Sequence, residues 1–358
     1  MLMRTVLCVL AAATTTAAHA DPTDDFVTAQ MRSQNIPGLS LAVIKSGTIV
    51  KIQGYGLADI KSKVPATPET VYDIASVSKA LLATGLMLLV QDAALSLDDP
   101  IIKHLDDLPP SWRGITIRHL LTHTSGLVRD APGYNQSRDV EDSEVIKTAY
   151  SSPLRFLPGE KWEYSNAGYS PLARIITKLT GRPWTEYLAE KIFRPAGMTS
   201  TYPLNTRVPL PNRARGYADN DTLKEADPRR ALLPAGGFLS TVVDLVKLDA
   251  LLDRDGFLTE ATRRQMWTPV TLNNGTTYPY GLGWELDGQG AVKGRRVVRH
   301  GGSVIGFRSE FARFVDDRLT IILLMNMHDV DWQTIVRGVA ALYLSPATAG
   351  GSAQGAPH

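Results

Sequence analysis

The sequence predicts an α+β fold: one antiparallel sheet built from strands near both ends of the chain, flanked by helices, with a mainly helical region inserted between them. Three observations carry this expectation. Strand-like runs cluster at residues 39–56 and again at 280–325, while the stretch from about 95 to 233 reads as helix and loop. No internal repeat and no linker-like segment divides the interior.

Residues 39–44 and 48–56 form the first two strands by composition, and Lys45-Ser46-Gly47 between them is a short connection of the hairpin kind. By letter that triplet matches a Lys-Ser-Gly site motif, but its place in a hairpin makes it a turn. From Ser76 to about Asp92 the chain is dense in Leu, Ala and Met and reads as a helix, with Asp73 just ahead of it. The Met and Leu residues of 81–90 are core rather than a ligand face. In the inserted region, 144–150, 170–180 and 185–193 are helical patterns, and Gly181 stops the second. Strand character returns at 280–286, 296–299, 307–315 and 319–325, with Asp316-Asp317 punctuating the last pair. Residues 332–343 read as a closing helix.

The chain has 358 residues, of which 1–20 read as an export signal. Arg4 is followed by an uncharged run from Thr5 to Ala18, and Ala18-His19-Ala20 has the small-x-small form cut by signal peptidase. That run is too short and too rich in Ala and Thr for a membrane span. The expected mature chain therefore has no membrane span, and its location is periplasmic or extracellular. Residues 21–344 form a single domain, with the mainly helical region of about 95–233 inserted in it, and the Gly/Ala/Ser/Pro-rich residues 345–358 a flexible tail. The single cysteine, Cys8, falls in the signal, which leaves the mature chain without disulfides, a catalytic thiol or thiolate metal ligands. A composition 44% hydrophobic and 21% charged, with net charge +2 and no basic block, argues against nucleic acid.

Ser76-x-x-Lys79 is the first candidate for chemistry. Three residues apart at a helix start, the two side chains share one face, and backbone N–H groups there suit a developing oxyanion. A buried lysine loses pKa through desolvation and can then accept a proton. The spacing alone recurs by chance, and the bland alternative is a capping serine beside a solvated lysine. Two further elements change the balance: Tyr164-Ser165-Asn166 is the only Tyr-x-Asn in the chain, and His300-Gly301-Gly302 the only His-x-Gly.

Other patterns support no chemistry. His119 and His123 have helical zinc-ligand spacing, but Leu120 stands where a glutamate is needed and no third ligand suggests itself. Asp219-Asn220-Asp221 lacks the glycine and closing glutamate of a calcium loop. Ser303 is in no Gly-x-Ser-x-Gly elbow. No metal and no cofactor are expected.

With all three triplets in this order, the chain resembles the serine β-lactamase and penicillin-binding family, in the branch holding class C β-lactamases, D-alanyl-D-alanine carboxypeptidases and related esterases. The likeness extends through residues 72–79, the Leu120–Leu127 signature, Pro158-Gly159-Glu160 and Tyr164 to Tyr169. It continues in Tyr280-Gly281-Leu282-Gly283-Trp284 and in His300 to Phe307. It implies Ser76 as nucleophile, with Lys79 and Tyr164 handling the protons. It further implies Asn166 on the substrate's acyl-side amide, and the Ser76 and Ser303 N–H groups as oxyanion hole. Gly301 and Gly302 would keep the strand bare where substrate lies against it. His300 departs from the lysine typical of class C β-lactamases, since an imidazole is largely neutral above a pKa of about 6.5. The resemblance thus implies hydrolysis of a small carboxylic ester or D-amino-acid peptide ahead of a β-lactam. A non-catalytic cell-wall or peptide-binding protein is the alternative of another class.

Overall fold

Alternation along the strands decides the architecture. The structure, a computed structural model, describes residues 21–133, 142–219, 221–286, 292 and 294–344. Five long strands form its sheet: β1 (Gly38–Lys45), β2 (Thr48–Asp59), β3 (Val297–Val304), β4 (Phe307–Phe314) and β5 (Leu319–Met325). Their order is β3-β4-β5-β1-β2, all antiparallel, with the two-residue strand Val64–Pro65 beyond β2. The first and last strands therefore meet at the middle of the sheet, with Leu39 opposite Met325 and Lys45 opposite Leu319.

Because side chains alternate with period two, each strand feeds two cores. Leu39, Leu41, Val43, Ile321, Leu323 and Met325 face the terminal helices α1 (Pro22–Ser33) and α5 (Trp332–Tyr343). Ala42, Ile44, Phe311, Ile322 and Leu324 face the larger core around α2 (Ser78–Gln91), α3 (Tyr169–Thr180) and α4 (Val242–Asp253). A helix apolar on every side must be buried on every side, and α2 is. From Thr70 to Leu89 every residue is buried except Ser76.

Sequence expectation and structure part at several places. α1 and α4 were not foreseen. Asp21 caps α1 by accepting from the Thr23 N–H at 2.8 Å, with Pro22 in the first turn, and Thr241 caps α4 by accepting from the Asp244 N–H. The helix expected at 144–150 sits at Asp142–Lys147, and that at 185–193 divides into Trp184–Leu188 and a π-helical turn Ala189–Phe193. Residues 280–286 are not a strand. They make only isolated bridges, Tyr280 with Glu285 and Glu285 with Arg299, because this segment presses on helices. A Cβ on Gly283 would lie 2.4 Å from that of Ala83 on α2, and its φ of +76° suits glycine. The run expected at 296–299 continues to Val304, so His300 to Ser303 are inside β3 rather than beyond a strand end. Among the described residues no helix is long and apolar enough to cross a membrane. The expected signal 1–20 with Cys8, the tail 345–358 and Asn220 of the 219–221 loop lie outside the described residues.

Candidate active site

The segment 70–89 leaves one side chain in reach of solvent, and the backbone just before it explains how. Ala75 holds a left-handed φ of 45°, a conformation that non-glycine residues adopt only under constraint. The constraint is Asp73, whose Oδ1 accepts from the Ala75 N–H at 2.9 Å. Arg229 in turn clamps Asp73, with Nη1 at 3.1 and 2.9 Å from the two carboxylate oxygens, and its Nη2 donates to the Gly236 carbonyl. A 3₁₀ turn, Ala75–Val77, then leads into α2, so Ser76 lies where first-turn N–H groups have no helical partner.

Lys79 is fully buried one turn later, and its ammonium position has three neighbours. Nζ lies 3.0 Å from Ser76 Oγ, 2.8 Å from Asn166 Oδ1 and 2.7 Å from the Ala235 carbonyl. Burial pushes its pKa well below the ordinary lysine range, against an opposing pull from Asp130. Two of the three neighbours can only accept. The Asn166 amide is oriented by its Nδ2, which donates to Asp130 Oδ1 at 2.8 Å. A neutral amine has two N–H bonds and one lone pair. The N–H bonds match Asn166 and Ala235, and the lone pair is left facing the Ser76 hydroxyl.

Tyr164 approaches the same serine from the inserted region. Burial, only partly offset by the nearby Ser76, holds the phenol above its usual range, so it carries its proton at neutral pH. Its ring lies beneath Lys79 Nζ, 4.7 Å from the centroid.

β3 supplies the opposite wall. It is an edge strand, and Arg299 exchanges both backbone hydrogen bonds with Glu285 across its free edge. By the two-residue period the backbone groups of Gly301 and Ser303 point to that same edge. Ser303 and Ser76 line one cleft of about 460 Å³ with Arg129, Asp130, Asn166 and Ala235. A larger cavity of about 570 Å³, beside Asp249, Arg313 and Trp267, shares no lining residue with it and none of this chemistry.

The other members of the triplet sit behind the wall. His300 is fully buried and does not line the cleft; Nε2 is 3.0 Å from Tyr280 Oη and Nδ1 2.8 Å from the Gly301 carbonyl. Burial first, and then the nearby Lys79, lower its pKa to about 3. A Cβ at Gly302 would lie 2.4 Å from the Ile74 carbonyl oxygen and 2.1 Å from Ser309 Oγ, so the close approach there is to the turn leading into Ser76. His119 closes a capping box with Thr116 on the helix Ile117–Leu121, while His123 lies past that helix and turns to Tyr280.

The structure thus brings Ser76, Lys79, Tyr164 and Asn166 into contact and sets Ser303 across the cleft from them. Sequence reasoning missed the residues that hold them: Arg229 with Asp73, Asp130 on Asn166, and Tyr280 between two histidines. For these only the position of Asp73 ahead of the helix was a signal.

Comparison with known proteins identifies similar chains. Residues 23–341 match the family described as Beta-lactamase. Penicillin-binding protein 4* of Bacillus subtilis (strain 168) is 32% identical over 307 residues, covering 80% of this chain and 67% of that protein. The octameric penicillin-binding protein homologue from Pyrococcus abyssi superposes with a TM-score of 0.78 at 29% identity, over 89% of this chain and 76% of that one. The D-amino acid amidase from Ochrobactrum anthropi SV3, complexed with D-phenylalanine, gives 0.76 at 26% identity, over 90% and 99%.

Proposed function

The chain belongs to the Beta-lactamase family, and on that premise we propose that it is a serine hydrolase that forms an acyl-enzyme on Ser76 and cleaves an ester or amide. The arrangement around Lys79 Nζ carries the reading. With both N–H bonds engaged by Asn166 and Ala235, the lone pair accepts the Ser76 proton as Oγ attacks the carbonyl carbon. The Ser76 and Ser303 N–H groups receive the developing oxyanion, each donor typically worth about 10²–10³ in rate. Tyr164, kept protonated by burial, gives its proton to the departing amine or alkoxide and is reprotonated from Lys79, so no net proton is gained or lost in acylation. Water then releases the acyl group from Ser76.

Small carboxylic esters and D-amino-acid amides or peptides are the favoured substrates. A neutral, buried His300 offers no cation for the carboxylate of a β-lactam, and a D-amino acid amidase is among the similar structures. The reading of residues 1–20 as an export signal supports a site of action outside the cytoplasm.

Intact mass spectrometry after incubation with benzylpenicillin and, separately, with an activated ester tests this. Acyl adduct or turnover that disappears in Ser76→Ala is expected. Lys79→Ala and Tyr164→Phe should each slow acylation by about 10²–10⁴-fold. Penicillin consumed without a lasting adduct would shift the assignment to a β-lactamase. No labelling and no turnover, with Ser76→Ala indistinguishable from wild type, would leave only a binding protein.

A further inference from the structure

Behind the cleft, three buried side chains form one continuous hydrogen-bonded line. The Ser165 N–H donates to His123 Nδ1 at 3.1 Å, His123 Nε2 is 3.1 Å from Tyr280 Oη, Tyr280 Oη is 3.0 Å from His300 Nε2, and His300 Nδ1 is 2.8 Å from the Gly301 carbonyl. Both ends are groups with no choice of role, since an amide N–H only donates and a carbonyl only accepts. His123 therefore lacks a proton on Nδ1 and, when neutral, carries it on Nε2, which donates to Tyr280. Tyr280 donates in turn to His300 Nε2, and His300 gives its Nδ1 proton to Gly301. A further proton on either imidazole would set a donor against a donor and orphan a buried group.

The line's two ends lie on two of the walls of the site. Ser165 is the residue between Tyr164 and Asn166, and Gly301 is two residues before Ser303 on the free edge of β3. The His123 ring also lies against Tyr164, with centroids 4.3 Å apart. Its backbone is itself constrained, at a φ of 59°. Burial is the first influence against protonation of both imidazoles. Of the permanently charged groups, Arg129 acts on His123 and Arg299 of β3 on His300, while Tyr280 faces the Tyr169 and Tyr164 phenols and then Glu285.

We propose that His123, Tyr280 and His300 form a proton-ordered strap that fixes the distance between the Tyr164 proton donor and the Ser303 oxyanion donor. They are positioning residues, with Tyr280 as the link on which the other two depend. This rests on the reading of Ser76 as nucleophile, and its first test does not use activity. Nitrogen-15 imidazole spectra of the wild-type protein should show His123 protonated on Nε2 and His300 on Nδ1, with neither titrating between about pH 5 and 9. The same tautomer on both rings, or titration of His300 in that window, would overturn the strap even if the enzyme is active.

The second test is Tyr280→Phe, which keeps the ring and removes the shared oxygen. Maximal Ser76 acylation should fall about 10–100-fold while the half-saturating ester concentration changes less than about 3-fold. The His300 imidazole should titrate at higher pH than in wild type, having lost the donor that favours its neutral form. Wild-type acylation in Tyr280→Phe, or an unmoved His300 titration, would refute the positioning role. Absence of acylation in the wild type together with the expected tautomers would count against the Ser76 reading alone.

Discussion

Arg229→Met isolates the clamp beneath Ser76. The Arg229 and Asp73 side chains are 5% and 2% exposed, so the substitution leaves a carboxylate in the interior with one amide N–H and no salt bridge, only the field of Arg213 still acting on it. Removing one partner of such a buried pair costs about 3–5 kcal/mol, because the survivor keeps its desolvation penalty. For a chain of this length each kcal/mol lowers Tm by roughly 2 °C, so a loss on the order of 6–10 °C is expected. The effect on chemistry is separate. A left-handed non-glycine residue stores on the order of 1–3 kcal/mol, and Asp73 is the group that holds Ala75 there. If Asp73 turns aside, Ala75 relaxes and the Ser76 Oγ and N–H move together. A misplacement approaching 1 Å is enough for about a 10²-fold slower acylation. Urea denaturation gives the first quantity and rapid-mixing ester kinetics the second. Asp73→Asn combined with Arg229→Met is the decisive comparison, because the introduced amide oxygen still accepts from the Ala75 N–H while bringing no charge. The pair should regain at least half of the lost stability and most of the acylation, with a coupling of about 2–3 kcal/mol. Additive effects of the two substitutions, or Arg229→Met within about 1 kcal/mol of wild type, would show that the clamp does not hold the turn.

Three further outcomes follow from the geometry. Stability should fall on acidification below about pH 6.5, since unfolded imidazoles take up a proton there while His300, with its pKa lowered to about 3, does not; the loss is about 3 kcal/mol by pH 4.5 at 1.36 kcal/mol per unit, with His123 acting in the same direction. A flat urea midpoint between pH 7 and 4.5 would contradict it. Asp130→Asn withdraws a charge that raises the Lys79 pKa, so the acid limb of the acylation profile should move to lower pH; a shift to higher pH would mean that Lys79 is not the titrating base. Gly302→Ala forces β3 away from Ile74 and should cost stability and acylation together, whereas a Cβ at Gly301 meets nothing closer than a Glu310 carboxylate oxygen at 3.1 Å and should be mild. Equal effects at the two glycines would remove the steric argument.

The parts legible in the sequence were those written in periodicity and in local spacing. The hairpin around Ser46 and Gly47, the closing helix at 332–343 and the strand at 319–325 each show their own pattern, and their ranges agree with the structure. The family is visible in triplets because Ser76 and Lys79 need one helical turn between them. α1 was equally written, in Asp21 and Pro22, but its cap directly follows an expected cleavage site, where a chain end is the simpler expectation. What no pattern could show is contact over long separation. Arg229 is 156 positions from Asp73, and His123 is 157 from Tyr280. His300 looks like a substrate-facing residue when read as a letter in a triplet, yet strand pairing opposite Phe311 turns its side chain into the core.

The cross-links share a feature that bears on how the site works. Its three walls come from α2, from the inserted region and from the edge strand β3, which have no sequence proximity and no common hydrogen-bonded ladder. Around the site, side chains tie segments distant in sequence by bonding to backbone: Ser309 Oγ of β4 to the Ile74 carbonyl at 2.8 Å, Ser78 Oγ accepting from the Phe238 N–H at 3.2 Å, Lys79 to the Ala235 carbonyl and, within the inserted region, His123 accepting from the Ser165 N–H. An unmade buried bond of this kind costs about 1–3 kcal/mol, a small part of what two hydrophobic cores supply but enough to displace one wall against another. Folding and site geometry therefore draw on different residues. Core positions of the sheet determine whether the chain folds, and these few polar ties determine how Ser76, Tyr164 and Ser303 are placed around the cleft.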